Sequence, residues 1–350
     1  MWPSMPGKAR RVVGRPSRGR TRRAKALDSP AVTTVVSVDA DQPEPRRLDA
    51  PGAALRQGRL VAFPTETVYG LGAHAGCAEA VAAVFAAKQR PSGNPLIVHV
   101  TGVAAAGQIG ELTPLARQLA AGFWPGPLTL VLAARPGVAS VTRGGLSTVA
   151  VRAPAHPVAV ALLEVAGVPV AAPSANASGR PSPTSAAHVL ADLDGRVDVV
   201  VDGGPCRYGV ESTVVDARGD VPSLLREGAV TREQLPGLGD GGETHRSPGA
   251  RFRHYAPSCR VVVAPAGEAG TRAEQLAAAG DAVGLVAPEP GPPGVTTLAT
   301  PADAAELGAG LYAALREAEA RGLDTVVVAA VAEQGLGRAV MDRLRRAADG

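Results

Sequence analysis

Lysine is nearly missing from this 350-residue chain: it stands only at Lys8, Lys25 and Lys88, and almost all basic charge is arginine. Such a bias suggests a GC-rich coding sequence, and it leaves Lys88 as the sole lysine after residue 25. A lysine kept at one loop where arginine has replaced it elsewhere hints at a chemical need there. Aromatic residues are scarce as well, at 3%. The three cysteines, Cys77, Cys206 and Cys259, are isolated, with no CxxC pair and no histidine at ligand spacing. That argues against a disulfide framework and against structural zinc. No GxxxxGK[ST] occurs, and Gly280 and Gly284 do not form GxGxxG, so neither a Walker loop nor a Rossmann fingerprint is available for nucleotide binding. No apolar run reaches the roughly 18 residues of a membrane helix, and no apolar signal segment comes after the basic start. The expectation is a cytoplasmic protein without membrane contact.

The net charge of +4 divides unevenly. Residues 1–27 hold nine Lys/Arg and no acid, so residues 28–350 carry 27 basic and 32 acidic groups and are mildly acidic. Residues 1–47, rich in Arg, Pro, Gly and Ser, read as a disordered basic tail. It is open whether that tail is solvated or a start-codon artefact, an arm in weak contact with RNA phosphates, or an organelle transit peptide. The whole chain is 45% apolar, so its bulk should fold, and what comes after the tail is long enough for two domains.

The rest of the chain is organised around residues 59–100. Residues 60–63 form a short apolar run stopped by Pro64, which suits a buried strand. Thr65, Glu66 and Thr67 then offer polar side chains at that strand's C-terminal edge, a usual ligand position in open α/β sheets. Gly70 and Gly72 permit a tight bend or a close approach. Residues 77–88 read as a helix with Val81, Val84 and Phe85 on one face. It ends at Lys88, where cations also complement the helix dipole. A loop through Arg90, Ser92 and Asn94 leads to a second strand at 96–100. By itself this is a βαβ pattern.

Further along, Thr113 caps a helix with Pro114 at its first position. Trp124 opens a Pro/Gly turn and is either core or a stacking platform. Residues 148–152 alternate as a half-buried strand, with Thr148, Ala150 and Arg152 on one face. Arg152 on that strand needs an anion, either a protein carboxylate or a bound one. Ser174, Asn176 and Ser178 come after a strand at 168–172, suited to lining a ligand site or to leading into a helix at 184–190 capped by Ser182 or Thr184. Residues 197–201 and 212–216 read as a strand pair around the Gly203–Gly204 turn, and Arg226 stands beside a short apolar run. Residues 239–258 form a Gly-rich, then aromatic and cationic linker that includes Tyr255. Residues 259–350 alternate strands and helices as a smaller α/β domain, with the catalytic domain expected at 48–238.

PTETVYGLG at 64–72, KQRPSGNPLIVH at 88–99, PSAN at 173–176, SGRPSPT at 178–184 and LLREGAV at 224–230 together resemble the YrdC/Sua5 family. The linker and EQGLGRAVMDRLRRAA at 333–348 resemble its long, Sua5-type branch, although Ala250 and Phe252 depart from the usual linker pattern. The resemblance implies an α/β fold: a YrdC-like twisted open mixed sheet with helices, plus a smaller Rossmann-like C-terminal domain. It also implies synthesis of threonylcarbamoyl-AMP and pyrophosphate from L-threonine, bicarbonate or CO2, and ATP, with Mg2+ carried by the phosphates. The product would serve t6A modification of tRNA through a downstream threonylcarbamoyl transferase. By motif position, Lys88 and Arg90 would be catalytic. Those two with Ser92, Thr148, Ser174, Asn176, Ser182, Arg226 and Tyr255 would bind ATP. Thr65, His99, Arg152, Ala172 and Ser212 would bind threonine, although His99 also suits a core position. The linker would close over the site as a lid.

Two other classes fit parts of the chain. A non-catalytic module of the same fold, binding double-stranded RNA or tRNA, is disfavoured by the acidic balance of residues 28–350. A carbamoyl-adenylate enzyme of the hydrogenase-maturation kind is disfavoured by the absence of zinc-finger cysteines.

Overall fold

The computed structural model describes residues 32–91, 93–238 and 255–349. Most of the expected tail (1–31), Ser92 and most of the linker (239–254) lie outside the described residues. The folded part starts earlier than composition suggests. Thr34–Ser37 is a strand (β1) and Pro45–Arg56 a helix (α1), so residues 32–47 are not a disordered tail. The β-branched run Thr34, Val35, Val36 favours a strand, a signal that disappears when averaged with the Arg-rich start.

In chain order the first domain continues with β2 (Val61–Phe63), β3 (Gly70–His74), α2 (Ala78–Lys88), β4 (Ile97–His99), α3 (Val103–Ile109) and α4 (Pro114–Phe123). Then come β5 (Leu128–Ala133), β6 (Thr148–Arg152), α5 (Pro157–Ala166), β7 (Val170–Ala171), α6 (Ala186–Leu193), β8 (Val199–Asp202), β9 (Thr213–Asp216) and β10 (Ser223–Arg226). The strands form one open mixed sheet in the order β1-β8-β2-β3-β7-β4-β6-β5-β9-β10. Period-2 alternation divides its core into two clusters. Val61 and Phe63 pack with α1 and α5, whereas Leu60 and Ala62 pack with α2, α4 and α6 on the other face.

Several local expectations change. The unit at 59–100 is not a plain βαβ, because β3 returns antiparallel to β2, with Gly70 opposite Phe63 and Gly72 opposite Val61. A Cβ on Gly72 would lie 2.8 Å from Val170 Cγ1 and 2.9 Å from Phe63 Cε1, so glycine there serves strand packing rather than a bend. β8 and β9 are not paired with each other; β8 lies between β1 and β2, and β9 between β5 and β10. From Val149 to Arg152, β6 is buried on both faces rather than half-buried. Helix α4 has its Thr113 cap, accepting from the Ala116 N–H at 3.0 Å. Helix α6 is capped by Ser185, not by Ser182 or Thr184. Trp124 donates from Nε1 to the Leu128 carbonyl at 2.7 Å and packs on the core.

The second domain holds β11 (Arg260–Ala264), α7 (Ala269–Ala278), β12 (Val283–Val286), β13 (Thr296–Ala299), α8 (Ala304–Ala320), β14 (Thr325–Ala329) and α9 (Leu336–Ala348). Its sheet is wholly parallel, in the order β11-β14-β12-β13. Val326 and Val328 of β14 face α8 and α9, while Val327 faces α7, as expected for a parallel sheet covered on both sides. Val68 and Val210 of the first domain join the α8/α9 cluster, so those helices are the ones that meet it.

Candidate active site

A cleft of about 750 Å³, partly open to solvent, lies on the α1/α5 side of the large sheet, over β4, β6 and β7. Ile97 and His99, two apart on β4, both line it, and Arg152 is the register partner of His99. The cleft therefore spreads over a sheet face as well as the turn after β2.

At one end the sequence Thr65-Glu66-Thr67 forms a self-bonded turn. The Thr65 hydroxyl donates to the Val68 carbonyl at 2.7 Å, so Thr67 is the donor in their 2.8 Å contact. Arg152 Nη1 donates to Thr67 Oγ1 at 2.9 Å and its Nε to the Gly126 carbonyl at 3.2 Å. Nη2 lies 2.7 Å from Glu66 Oε1. The anion that Arg152 requires is thus supplied by the protein, while Arg152 still lines the cleft. Burial raises the Glu66 carboxyl, but Arg152 outweighs it and holds the group below the usual carboxylate range. His99, edge-on to Phe63, is pushed down to about 3 by burial and by Arg152, so the ring is neutral. Ala172 and Ser212 line the same cleft.

Lys88 and Arg90 part company at Gln89, which closes α2 in the left-handed region at φ 53°. Lys88, in the last helical turn, is 2% exposed and does not line the cleft. Its Nζ donates to the carbonyls of Ser174 and Asn176 from beneath their loop. The helix end thus directs Lys88 under the loop that lines the cleft and Arg90 into the cleft itself. Arg90 makes no ion pair among the described residues and its Nε is buried without a hydrogen bond. Burial, then Arg226, lowers it to about 10, and it stays cationic. Ser174 Oγ donates to Asn176 Oδ1 at 2.6 Å, and Asn176 Nδ2 to the carbonyls of Ala177 and Arg180 at 2.8 Å each, which shapes the loop. Thr148 is not itself a lining residue, but it starts β6 two residues before Ala150, the register partner of the lining residue Ile97, so it stands at the Pro95 edge of the cleft.

The remaining wall joins both domains. Ser182 Oγ donates to Glu211 Oε1 at 2.7 Å. Arg226 donates to the Ser212 carbonyl from Nε at 3.1 Å and Nη2 at 2.7 Å, and Ser212 Oγ contacts Thr129 Oγ1 at 2.8 Å. From the second domain, Tyr312 and Arg343 reach Glu211, and Tyr255 stacks on Tyr312 with ring centroids 5.5 Å apart. Arg316 of α8 binds both oxygens of buried Asp192 at 3.1 and 2.9 Å, and Asp192 Oδ2 also accepts from the Ala177 N–H.

Eleven of the fourteen expected positions line the cleft; Lys88 lies behind it, Thr148 at its Pro95 edge, and Ser92 outside the described residues. Thr67 lines the cleft as its place at the strand edge suggests, but motif positions do not reveal Arg180 or Glu211 as lining residues, nor the support from Arg316 and Arg343, since such pairings arise only on folding. Of the four arginines that line the cleft, Arg152 is paired with Glu66 and Arg180 with Asp192 and Glu319, whereas Arg90 and Arg226 make no ion pair among the described residues, so these two give the cleft its affinity for an anion. Among the described residues no cluster of three or more His, Cys, Asp or Glu is placed to hold a metal.

Comparison with known proteins identifies the family. The Sua5/YciO/YrdC family profile, described as telomere recombination, matches residues 53–228. The profile of the threonylcarbamoyl-AMP synthase C-terminal domain matches residues 225–349. A threonylcarbamoyl-AMP synthase of Bacillus subtilis is 42% identical over 320 residues, covering 85% of this chain and 92% of that protein. One of Pyrococcus abyssi is 43% identical over 312 residues, covering 84% and 91%. The crystal structure of P. abyssi Sua5 complexed with L-threonine matches with a TM-score of 0.84 at 39% identity, over 91% of this chain and 98% of that one. This chain belongs to the Sua5/YciO/YrdC family and carries the Sua5 C-terminal domain.

Proposed function

We propose that this protein is a threonylcarbamoyl-AMP synthase, a nucleotidyltransferase that makes threonylcarbamoyl-AMP and pyrophosphate for t6A modification of tRNA at position 37. The observation that carries the reading is the cleft itself: Arg90 and Arg226 without an ion pair among the described residues, beside a carboxylate, Glu211, that is already paired, in a chain that shares two family domains with synthases. In this reading Arg152 takes the threonine carboxylate, with Thr65, His99, Ala172 and Ser212 around the rest of the amino acid. The amine and CO2 (from bicarbonate with loss of water) form a carbamate, releasing one proton to solvent. A carbamate oxygen then attacks the α-phosphorus of ATP, the bond to the β,γ-phosphates breaks, and pyrophosphate leaves. Arg90 and Arg226 offset the charge that gathers on phosphorus, with Ser174, Asn176 and Ser182 placing the nucleotide. With one lining carboxylate, the described residues offer the cleft no metal-ligand set, so in this reading Mg2+ enters as the MgATP complex. Holding the reactants together supplies much of the rate without a dedicated base.

The product passes to tRNA threonylcarbamoyl transferase machinery, and the reaction belongs in the cytoplasm. Among the described residues no helix is long and apolar enough to cross a membrane. The test is pyrophosphate release from MgATP, omitting threonine and bicarbonate in turn. Release that requires both is the expected result; release with neither present would leave a plain ATPase and overturn the proposal.

A further inference from the structure

Glu211 is the one carboxylate that lines the cleft among the described residues, and an anionic nucleotide would meet it directly. It accepts from Ser182 Oγ at 2.7 Å, from the Tyr312 hydroxyl at 3.2 and 3.3 Å, and from Arg343 Nε at 2.9 Å. Arg343 lies on α9, fully buried, so it touches no ligand. Its other nitrogens are also engaged: Nη1 with Asp342 at 2.8 Å and Nη2 with the Glu227 carbonyl at 2.9 Å. It therefore ties together the segments before β9 and after β10, which are already in close contact. A Cβ on Gly228 would fall 2.4 Å from the Glu211 carbonyl oxygen. Between those segments sits Arg226, the other cation that acts on Glu211.

We infer that Arg343, in the C-terminal domain, is a positioning residue of the active site: by pairing with Glu211 it neutralises the cleft's carboxylate and leaves Ser182 and Arg226 set for an anionic nucleotide. Without it, Glu211 repels the phosphates and draws Arg226 to itself, because a buried carboxylate recruits the nearest cation. The C-terminal domain then acts on the chemistry electrostatically as well as by covering the site. The inference rests on the proposed binding of ATP in this cleft.

The experiment compares wild type, Arg343→Met, Glu211→Gln and Glu211→Gln/Arg343→Met by calorimetric titration with MgATP and separately with L-threonine. Arg343→Met is expected to weaken MgATP at least thirtyfold and threonine less than threefold, and adding Glu211→Gln to recover at least tenfold of the loss. Unchanged MgATP affinity in Arg343→Met, an unrecovered loss, or an equal loss for threonine would overturn the role. Should Arg343→Met not fold, the double variant is compared with Glu211→Gln alone. Equal MgATP affinity supports the inference, and a tenfold difference defeats it. Wild type that binds no MgATP would overturn the function reading together with this one.

Discussion

Arg152 Nη2 lies 2.7 Å from Glu66 Oε1, both side chains are buried, and neither of these atoms has an aligned hydrogen bond. Charge compensation is in place while donor capacity on the arginine remains unused, an arrangement that suits a carboxylate arriving from the cleft.

Removing the arginine should separate stability from binding. Arg152→Met leaves a buried carboxylate unpaired, at a cost of about 3–5 kcal/mol in unfolding free energy. Adding Glu66→Gln should restore most of that stability without restoring threonine affinity. Urea unfolding read beside threonine titration checks both, and recovered threonine binding in the double variant would remove Arg152 from the carboxylate site.

Lys88→Met deprives the carbonyls of Ser174 and Asn176 of their ammonium donor and loosens the loop that lines the cleft. Steady-state kinetics should show KM for ATP raised at least tenfold, with the threonine dissociation constant within about twofold of wild type. A fall in kcat alone, at unchanged KM, would instead return Lys88 to direct contact with the reacting phosphates.

Two ion pairs of α8 have similar geometry and unlike surroundings. Arg316–Asp192 at 2.9 Å has side chains 6% and 0% exposed; Arg321–Glu317 at 2.7 Å has 52% and 48%. Arg316→Met should cost about 1.5–3 kcal/mol, the loss of hydrogen bonds to a buried carboxylate that Arg180 Nη1, 3.1 Å from Asp192 Oδ1, still compensates. Arg321→Met should change stability by no more than about 0.5 kcal/mol, since water screens the exposed pair. Equal effects in thermal melts would contradict this ordering.

His99 is lowered from 6.5 to about 3 in the folded state. The unfolded chain therefore binds the proton more readily, and stability from this group is complete above pH 6.5 and lost as the pH falls toward 3. Between pH 7 and pH 5 the loss is about 2 kcal/mol. His99→Gln should flatten the acid limb of the stability profile by that amount, and an unchanged limb would show that His99 is not the group responsible.

Local chemistry made much of this protein legible before folding was considered. The apolar runs at Val61–Phe63 and Thr325–Ala329 and the Thr113-Pro114 helix start each depend on neighbours within a few residues. The motif positions of Arg90, Arg152, Ser174 and Asn176 were likewise readable, and they do line the cleft. Strand β3 was hidden by its glycines, which have no side chain to declare a buried face, and β13 by its brevity and partial exposure.

The pairings that shape the site could not be read in advance. Arg343 meets Glu211 across 132 positions and Arg316 meets Asp192 across 124. A charged side chain carries no local record of which distant opposite charge will compensate it. Even the contrast between Lys88 and Arg90, two positions apart, came from the left-handed turn at Gln89. Burial and direction are properties of the packed chain, and they divided one motif into a cation beneath the loop and a cation in the cleft.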